Sequence, residues 1–374
     1  MKYVVLSLLL MAGSIPLAAQ RPVIVISDPL KLSGEELIEI PWRELRKQYP
    51  DLDPANFRVI DPVSKKSHPY QLESQGNKEI RNLLVLVQLQ PGKEVQLQLV
   101  KGRPDPVVSR TFARYVPERK DDFAWENDRI AHRVYGKALE KFPNEMAYGI
   151  DVWVKRTKDL IIDTRYKKND YHKDHGDGLD YYHVGRTLGA GGIAVYLNDS
   201  IWYPGTYDAW KILDNGPLRS GFRLSYTDWD LNGRKMQMEK TVIIDAGSQL
   251  SKTMVRIISG KTESLPMVTG IIKRKEAGEM LLSETDGLLA YWEPVHGDDG
   301  TTGVACILTT PVTKMKVDSV HLLAETLSAT DGTITYYHGA AWDKAGILRT
   351  GSEWFEYLRR FKKRVDNPLK IQIK

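Results

Sequence analysis

A chain of 374 residues with 42% hydrophobic content has ample material for a core, and its single cysteine, Cys306, excludes an internal disulfide. The formal charge of +5 arises from 53 basic and 48 acidic residues interspersed along the chain, so no basic tract marks a nucleic-acid binder. A mild positive balance helps attract acidic ligands without identifying one.

The chain opens MKYVVLSLLLMAGSIPLAAQ, with Lys2 the only charge before Arg21 and the small residues Ala18 and Ala19 after an apolar run. That is the pattern of a secretory signal peptide, too short for a membrane span. Residues 1–19 are read as the leader, cut after Ala19, which implies a periplasmic or secreted protein. RPVIVISDPL follows as a strand, and WRELRKQYP as a short helix before Pro50. Val85, Val87 and Leu89 alternate, then Val95, Leu97 and Leu99 after Pro91-Gly92, which predicts a β-hairpin. Residues 20–105 are read as an N-terminal β-sandwich part, with a boundary at the PDP of 104–106, and residues 106–374 as the main part.

ERKDDFAWENDRIAHRVYG reads as strand, turn and strand. If it is extended, Arg129, Ala131, Arg133 and Tyr135 share one face. Two arginines and a tyrosine suit a carboxylate-bearing ring, because a guanidinium holds a carboxylate with two parallel bonds. Pairing of Glu126, Asp128, Arg129 and Arg133 among themselves is an equal alternative. IDVWVKRTKDLIIDTRY reads as a short helix followed by an irregular segment.

DYHKDHGDGLDYYHVGRTLGAGG, residues 170–192, holds three of the eight histidines and ends in a glycine-rich turn. Such a density of titratable and aromatic groups indicates a polar site on loops and strand ends. His172 and Asp174 are candidate ligands of a divalent metal, although the spacing matches no zinc signature. On a strand, Leu179, Tyr181 and His183 point one way, and Asp180 and Tyr182 the other. Tyrosine and histidine are workable proton-transfer partners. GRTLGAGG lacks a preceding buried parallel strand and a Lys-Ser/Thr ending, so no nucleotide cofactor is expected.

Beyond it, short alternating strands separated by glycine, asparagine and aspartate continue to the C-terminus, the mark of an antiparallel sandwich. WEPVHGDDG, residues 292–300, is a polar loop and a fainter candidate. TYYHGAAWDKAG, residues 335–346, bunches Tyr336, Tyr337, His338, Trp342 and Lys344. A terminal helix is predicted with Ser352 as N-cap, Trp354, Leu358 and Phe361 on one face, and a last strand LKIQIK.

WENDRIAHRVYG, GIDVWVKR, YHKDHGDGLDYYHVGRTLGAGG and YYHGAAWDKAG resemble, in the same order, the domain-of-unknown-function 4861 family, over nearly the whole mature chain. The resemblance implies an all-β fold, an antiparallel β-supersandwich of galactose-mutarotase type with a C-terminal helix. It also implies membership of secreted bacterial polysaccharide-degrading systems, and similarity to an oligosaccharide dehydratase acting on ulvan fragments. In the family pattern the positions of His183 and His338 vary, whereas His172, Asp180, Trp342 and Lys344 fit.

Together these readings predict an enzyme that removes water from a non-reducing-end uronic acid by β-elimination, with an acidic oligosaccharide as its substrate. His172, Tyr181, Tyr182 and Lys344 are the candidates for proton transfer. Trp125, Glu126, Asn127, Arg129, Arg133, Asp180, Arg186 and Trp342 are the candidates for substrate binding. The alternatives are a glycoside hydrolase using Glu126 with Asp180, a chain-cleaving lyase on uronate glycans, and a non-catalytic glycan-binding sandwich.

Overall fold

A computed structural model describes residues 22–374, the side chain of Asp228 excepted. The signal-peptide expectation lies outside the described residues. An eight-stranded sheet forms the centre. Its order is Ala209–Asn215, Arg219–Leu231, Arg234–Asp245, Leu250–Ile258, Thr333–Trp342, Thr302–Leu308, Leu288–Trp292 and Glu279–Ser283. Neighbouring strands run antiparallel, as in Met238 opposite Ile257 and Cys306 opposite His338.

Two five-stranded sheets cover the inner face of this large sheet. One contains Thr111–Val116, Asp122–Asn127, Ile130–Val134, Asp151–Lys155 and Gly178–Leu179. The other contains Ala190–Leu197, Ser200–Trp202, Pro266–Ile272, Val312–Val317 and His321–Leu327. Alternate residues of all three sheets point inward and share one core, which includes Phe123, Trp125, Val152, Ile193, Met267, Phe222, Met238, Cys306 and Tyr336. The expected all-β antiparallel supersandwich with a C-terminal helix is therefore the fold formed.

The N-terminal residues make two further sheets around a separate core of Ile24, Ile26, Ile38, Val85, Leu97 and Leu99. The last strand, Lys370–Ile373, pairs with Ile24–Ser27. The predicted hairpin does not form. Asn82–Leu89 lies in a three-stranded sheet, and Val95–Lys101 in a five-stranded one. Both strands turn an apolar face to the same core, so they pack face to face rather than edge to edge.

Among the described residues there are three α-helices: α1 (Trp42–Gln48), α2 (Ile162–Lys168) and α3 (Gly351–Asp366). IDVWVKRTKDLIIDTRY was expected as helix then irregular chain, but Asp151–Lys155 is a strand and the helix comes second. Period two decides it, since Val152 and Val154 enter the core while Trp153 faces the other way. In α3 the N-cap is Thr350 rather than Ser352. The Thr350 side chain accepts a hydrogen bond from the Glu353 N–H at 3.2 Å, and Glu353 accepts one from the Arg349 N–H at 2.6 Å. Trp354, Phe355 and Leu358 pack on Leu288, Ala290, Ala305 and Ile307 of the large sheet's outer face. Among the described residues no helix is long and apolar enough to cross a membrane.

Trp354 is fully buried and anchors α3. Trp354→Ala is expected to cost about 3–5 kcal/mol in urea unfolding; a cost within about 0.5 kcal/mol, typical of surface positions, would show that the helix is merely laid on the sheet.

Candidate functional site

Several residues singled out in the sequence are structural supports. Arg133 lies on the outer face of the first five-stranded sheet, with its side chain 5% exposed. Its guanidinium donates to Asp151 Oδ2, from Nε at 2.9 Å and also from Nη2, and Nη2 donates to Asp180 Oδ2 at 2.9 Å. It also lies 5.3 Å from the Trp153 ring centroid and 5.6 Å from that of Tyr171. Burial, reinforced by the neighbouring Asp151 carboxylate, pushes Asp180 well above the usual carboxylate range. Burial also pushes Asp122, beside the same guanidinium, up to about 6. Arg133 is thus occupied and has no access to a substrate carboxylate.

Arg129 is not its partner. It sits in the turn before Ile130, on the side of α3, where its charge is felt by Tyr357. Four residues of extended chain separate the two arginines by about 13 Å. Asn127 shapes that turn: its Oδ1 accepts from the Arg129 and Ile130 N–H groups, and its Nδ2 donates to the carbonyls of Asp245 and Ser248. Glu126 is fully buried and accepts from Lys155 Nζ at 2.6 Å and from the N–H groups of Ile161 and Ile162. Neither half of the Glu126–Asp180 pair can therefore flank a glycosidic bond. Trp125 is a core residue, bonded through Nε1 to Ser251 and stacked on His132 at 5.3 Å.

The loop 170–178 is pinned from beneath. Buried Arg165 donates to the carbonyls of Asp170, Lys173 and Gly178. Arg156 pairs with Asp174, which also accepts from the Gly176 and Gly178 N–H groups. Among the described residues no three histidine, cysteine or carboxylate side chains gather to hold a metal ion, so His172 and Asp174 do not form the metal site considered above. His172 is exposed, and its Nδ1 meets the Asp180 carbonyl at 2.8 Å. Arg186 is also exposed and donates to the Pro143 carbonyl. The strand expected through LDYYHVGR stops at Leu179, so Tyr181 and His183 do not share a strand face.

Three separate stretches do meet at one end of the large sheet. The Tyr181 hydroxyl lies 2.6 Å from Thr302 Oγ1, and its ring stacks on His296 at 5.1 Å and 20°. His296 Nδ1 is 3.0 Å from Asp299 Oδ2. Trp342 Nε1 donates to the Asp299 carbonyl at 2.8 Å, and Lys344 Nζ donates to the Asp298 carbonyl. The Arg156 guanidinium lies 5.0 Å from the Trp342 ring centroid, and Trp342 itself is 2% exposed.

Next to this group, Arg274 covers the Tyr182 ring at 4.5 Å and donates to Glu293 Oε1 at 2.8 Å and to the His183 carbonyl at 2.8 Å. Its other N–H groups make no hydrogen bond among the described residues. Among the described residues the buried Tyr182 hydroxyl has no hydrogen-bond partner. Burial outweighs the attraction of Arg274 and pushes Glu293 up to about 7. Burial likewise raises Tyr181, which stays protonated at neutral pH.

The sequence pointed to Tyr181, Tyr182, Trp342 and Lys344, and the structure brings these together. It adds His296, Asp299 and Thr302 from or beside the fainter WEPVHGDDG loop. Arg274 and Arg156 carried no pattern that marked them.

Residues 26–371 match the family described as "Domain of unknown function (DUF4861)". The chain belongs to this family. It is 34% identical over 312 residues to "Uncharacterized protein P7" of Formosa agariphila, a match covering 78% of each chain. Among solved structures, a protein in glycosyl hydrolase family 38 from Enterococcus faecalis aligns with a TM-score of 0.53 at 9% identity, covering 94% of this chain and 47% of that one. The chain thus spans about half the length of that structure, and at this identity the likeness speaks for the fold alone.

Two outcomes follow for stability. Lys155→Met strands a buried carboxylate and is expected to cost about 3–5 kcal/mol; adding Glu126→Gln should recover much of this in urea unfolding, and no recovery would refute the pairing. Folded Glu293 binds its proton more tightly than its ordinary value of 4.5 allows. Between that value and about 7 the native state therefore holds more protons than the unfolded state, and stability falls as pH rises. Glu293→Gln removes that slope, at most about 1.4 kcal/mol per pH unit; parallel stability–pH curves for variant and wild type would count against it.

Proposed function

We propose that the protein is an exported carbohydrate-active enzyme, an oligosaccharide dehydratase that removes water from a non-reducing-end uronic acid of an acidic glycan such as ulvan. The observation that carries this reading is the stack of Tyr181 on His296 beside Arg274. It supplies a proton donor, a proton acceptor and a cation in one place, next to the edge of Trp342.

The chemistry is β-elimination. The C5 proton of a uronate is only weakly acidic, and a guanidinium on the carboxylate stabilises the negative charge that develops as it leaves. Arg274 takes that role in place of Arg133. When Glu293 is protonated, its hold on Arg274 weakens and a substrate carboxylate finds an unneutralised cation. His296, with Nδ1 carrying its proton toward Asp299, presents Nε2 as the base that takes the C5 proton. The electron pair of that bond becomes the C4=C5 double bond as the C4–O bond breaks. The departing hydroxyl receives a proton from Tyr181 and leaves as water. Lys344 and Trp342 border the ring position, and Tyr182 backs Arg274.

One observation favours a second reading, glycoside hydrolysis. A buried carboxyl raised to about 7, as Glu293 is, is the property of a general acid. Mass spectrometry of products from uronate oligosaccharides separates the two. Elimination gives a product lighter by one water without cleavage, and hydrolysis splits the chain and adds water. On the dehydratase reading, Tyr181→Phe and His296→Ala each lower kcat by about 100-fold or more while far-UV circular dichroism is unchanged. Full activity in either variant removes that residue from the mechanism, and cleaved products overturn the reading.

A further inference from the structure

His132 and His338 belong to two stretches singled out in the sequence, and the reaction above uses neither. They meet in the shared core, His132 from the strand Ile130–Val134 and His338 from Thr333–Trp342 of the large sheet. Both are buried, at 1% and 0% exposure. Their ring centroids lie 5.6 Å apart, with the planes at 76°. Trp125 stacks on His132 at 5.3 Å and meets His338 edge-on at 6.2 Å.

Each imidazole has one nitrogen satisfied and one not. His132 Nδ1 lies 3.3 Å from the Asp151 carbonyl, and His338 Nε2 lies 3.1 Å from Thr253 Oγ1. His132 Nε2 and His338 Nδ1 are buried and have no hydrogen-bond partner among the described residues. Burial holds His132 down at about 4, and burial, reinforced by the neighbouring His132 and Lys240, holds His338 well below its ordinary value. Both rings are therefore neutral at pH 7. A carbonyl only accepts, so the proton of His132 sits on Nδ1 and its Nε2 is a lone pair that needs a donor.

The neighbouring donors are committed elsewhere. The Trp125 indole N–H goes to Ser251 Oγ at 3.1 Å, the Tyr336 hydroxyl to the Gly191 carbonyl at 2.9 Å, and the Thr269 hydroxyl to the Gly192 carbonyl at 3.0 Å. Lys240 places its Nζ over the Tyr226 ring at 4.6 Å. A metal ion fits no better, since among the described residues no three histidine, cysteine or carboxylate side chains gather to hold one. What both nitrogens accept is a small neutral molecule that donates as well as accepts. Water gives one hydrogen to His132 Nε2. It then gives its second to His338 Nδ1 or accepts from it, whichever tautomer that ring adopts.

We infer that a water molecule is built into the core between His132 Nε2 and His338 Nδ1. It ties the first five-stranded sheet to the strand that ends at Trp342. A satisfied polar link of this kind inside an apolar core favours one relative placement of the two layers.

The test is a crystal structure of the full mature chain at a resolution that shows ordered water. One density peak is expected about 2.7–3.2 Å from both nitrogens, and it should be lost in His338→Phe, whose ring offers it no polar atom. A second measurement needs no variant. Xenon under pressure enters dry apolar voids, and in wild-type crystals it is expected to stay out of this place. The inference is overturned by the lack of a peak between the rings, by a direct His132–His338 hydrogen bond, or by xenon bound there. Anomalous scattering from the peak at a metal edge overturns it too, as does a peak that persists unmoved in His338→Phe.

Discussion

The position of Tyr181 depends on a guanidinium sealed beneath the outer face of a sheet. Asp180 is fastened on both sides: its carboxylate accepts from Arg133, and its N–H donates to the Tyr171 carbonyl at 2.7 Å. The next residue is Tyr181, which leaves the sheet without a strand to guide it. Burying one guanidinium with several carboxylates costs much of what their attraction returns, so such a cluster adds little net stability. What it adds is a single geometry. A loop rich in glycine and charge would otherwise sample many arrangements, and the stack on His296 requires one of them. The same logic holds for Glu126, whose carboxylate ties Lys155 to the start of α2 and so fixes the strand end that leads into Arg156.

The fold was legible because alternation of apolar residues reports which side chains point inward. It does not report which strand lies alongside. Asn82–Leu89 and Val95–Lys101 show the difference: both alternate as expected, yet they face each other across a core instead of pairing. The terminal helix was legible from its apolar face, while its cap was misplaced by two residues because Thr350 and Ser352 are equally able to accept a backbone N–H.

At the site, composition marked the right stretches and misjudged individual roles. A run such as WENDRIAHR looks the same whether its charges meet solvent or one another, and here Glu126 and Arg133 are consumed inside the fold. Tyr181 and Trp342 were found because aromatic and polar residues are dense around them. Arg274 stands in a run of ordinary charged residues, IIKRKEAG, and only tertiary contact with Glu293 and Tyr182 distinguishes it.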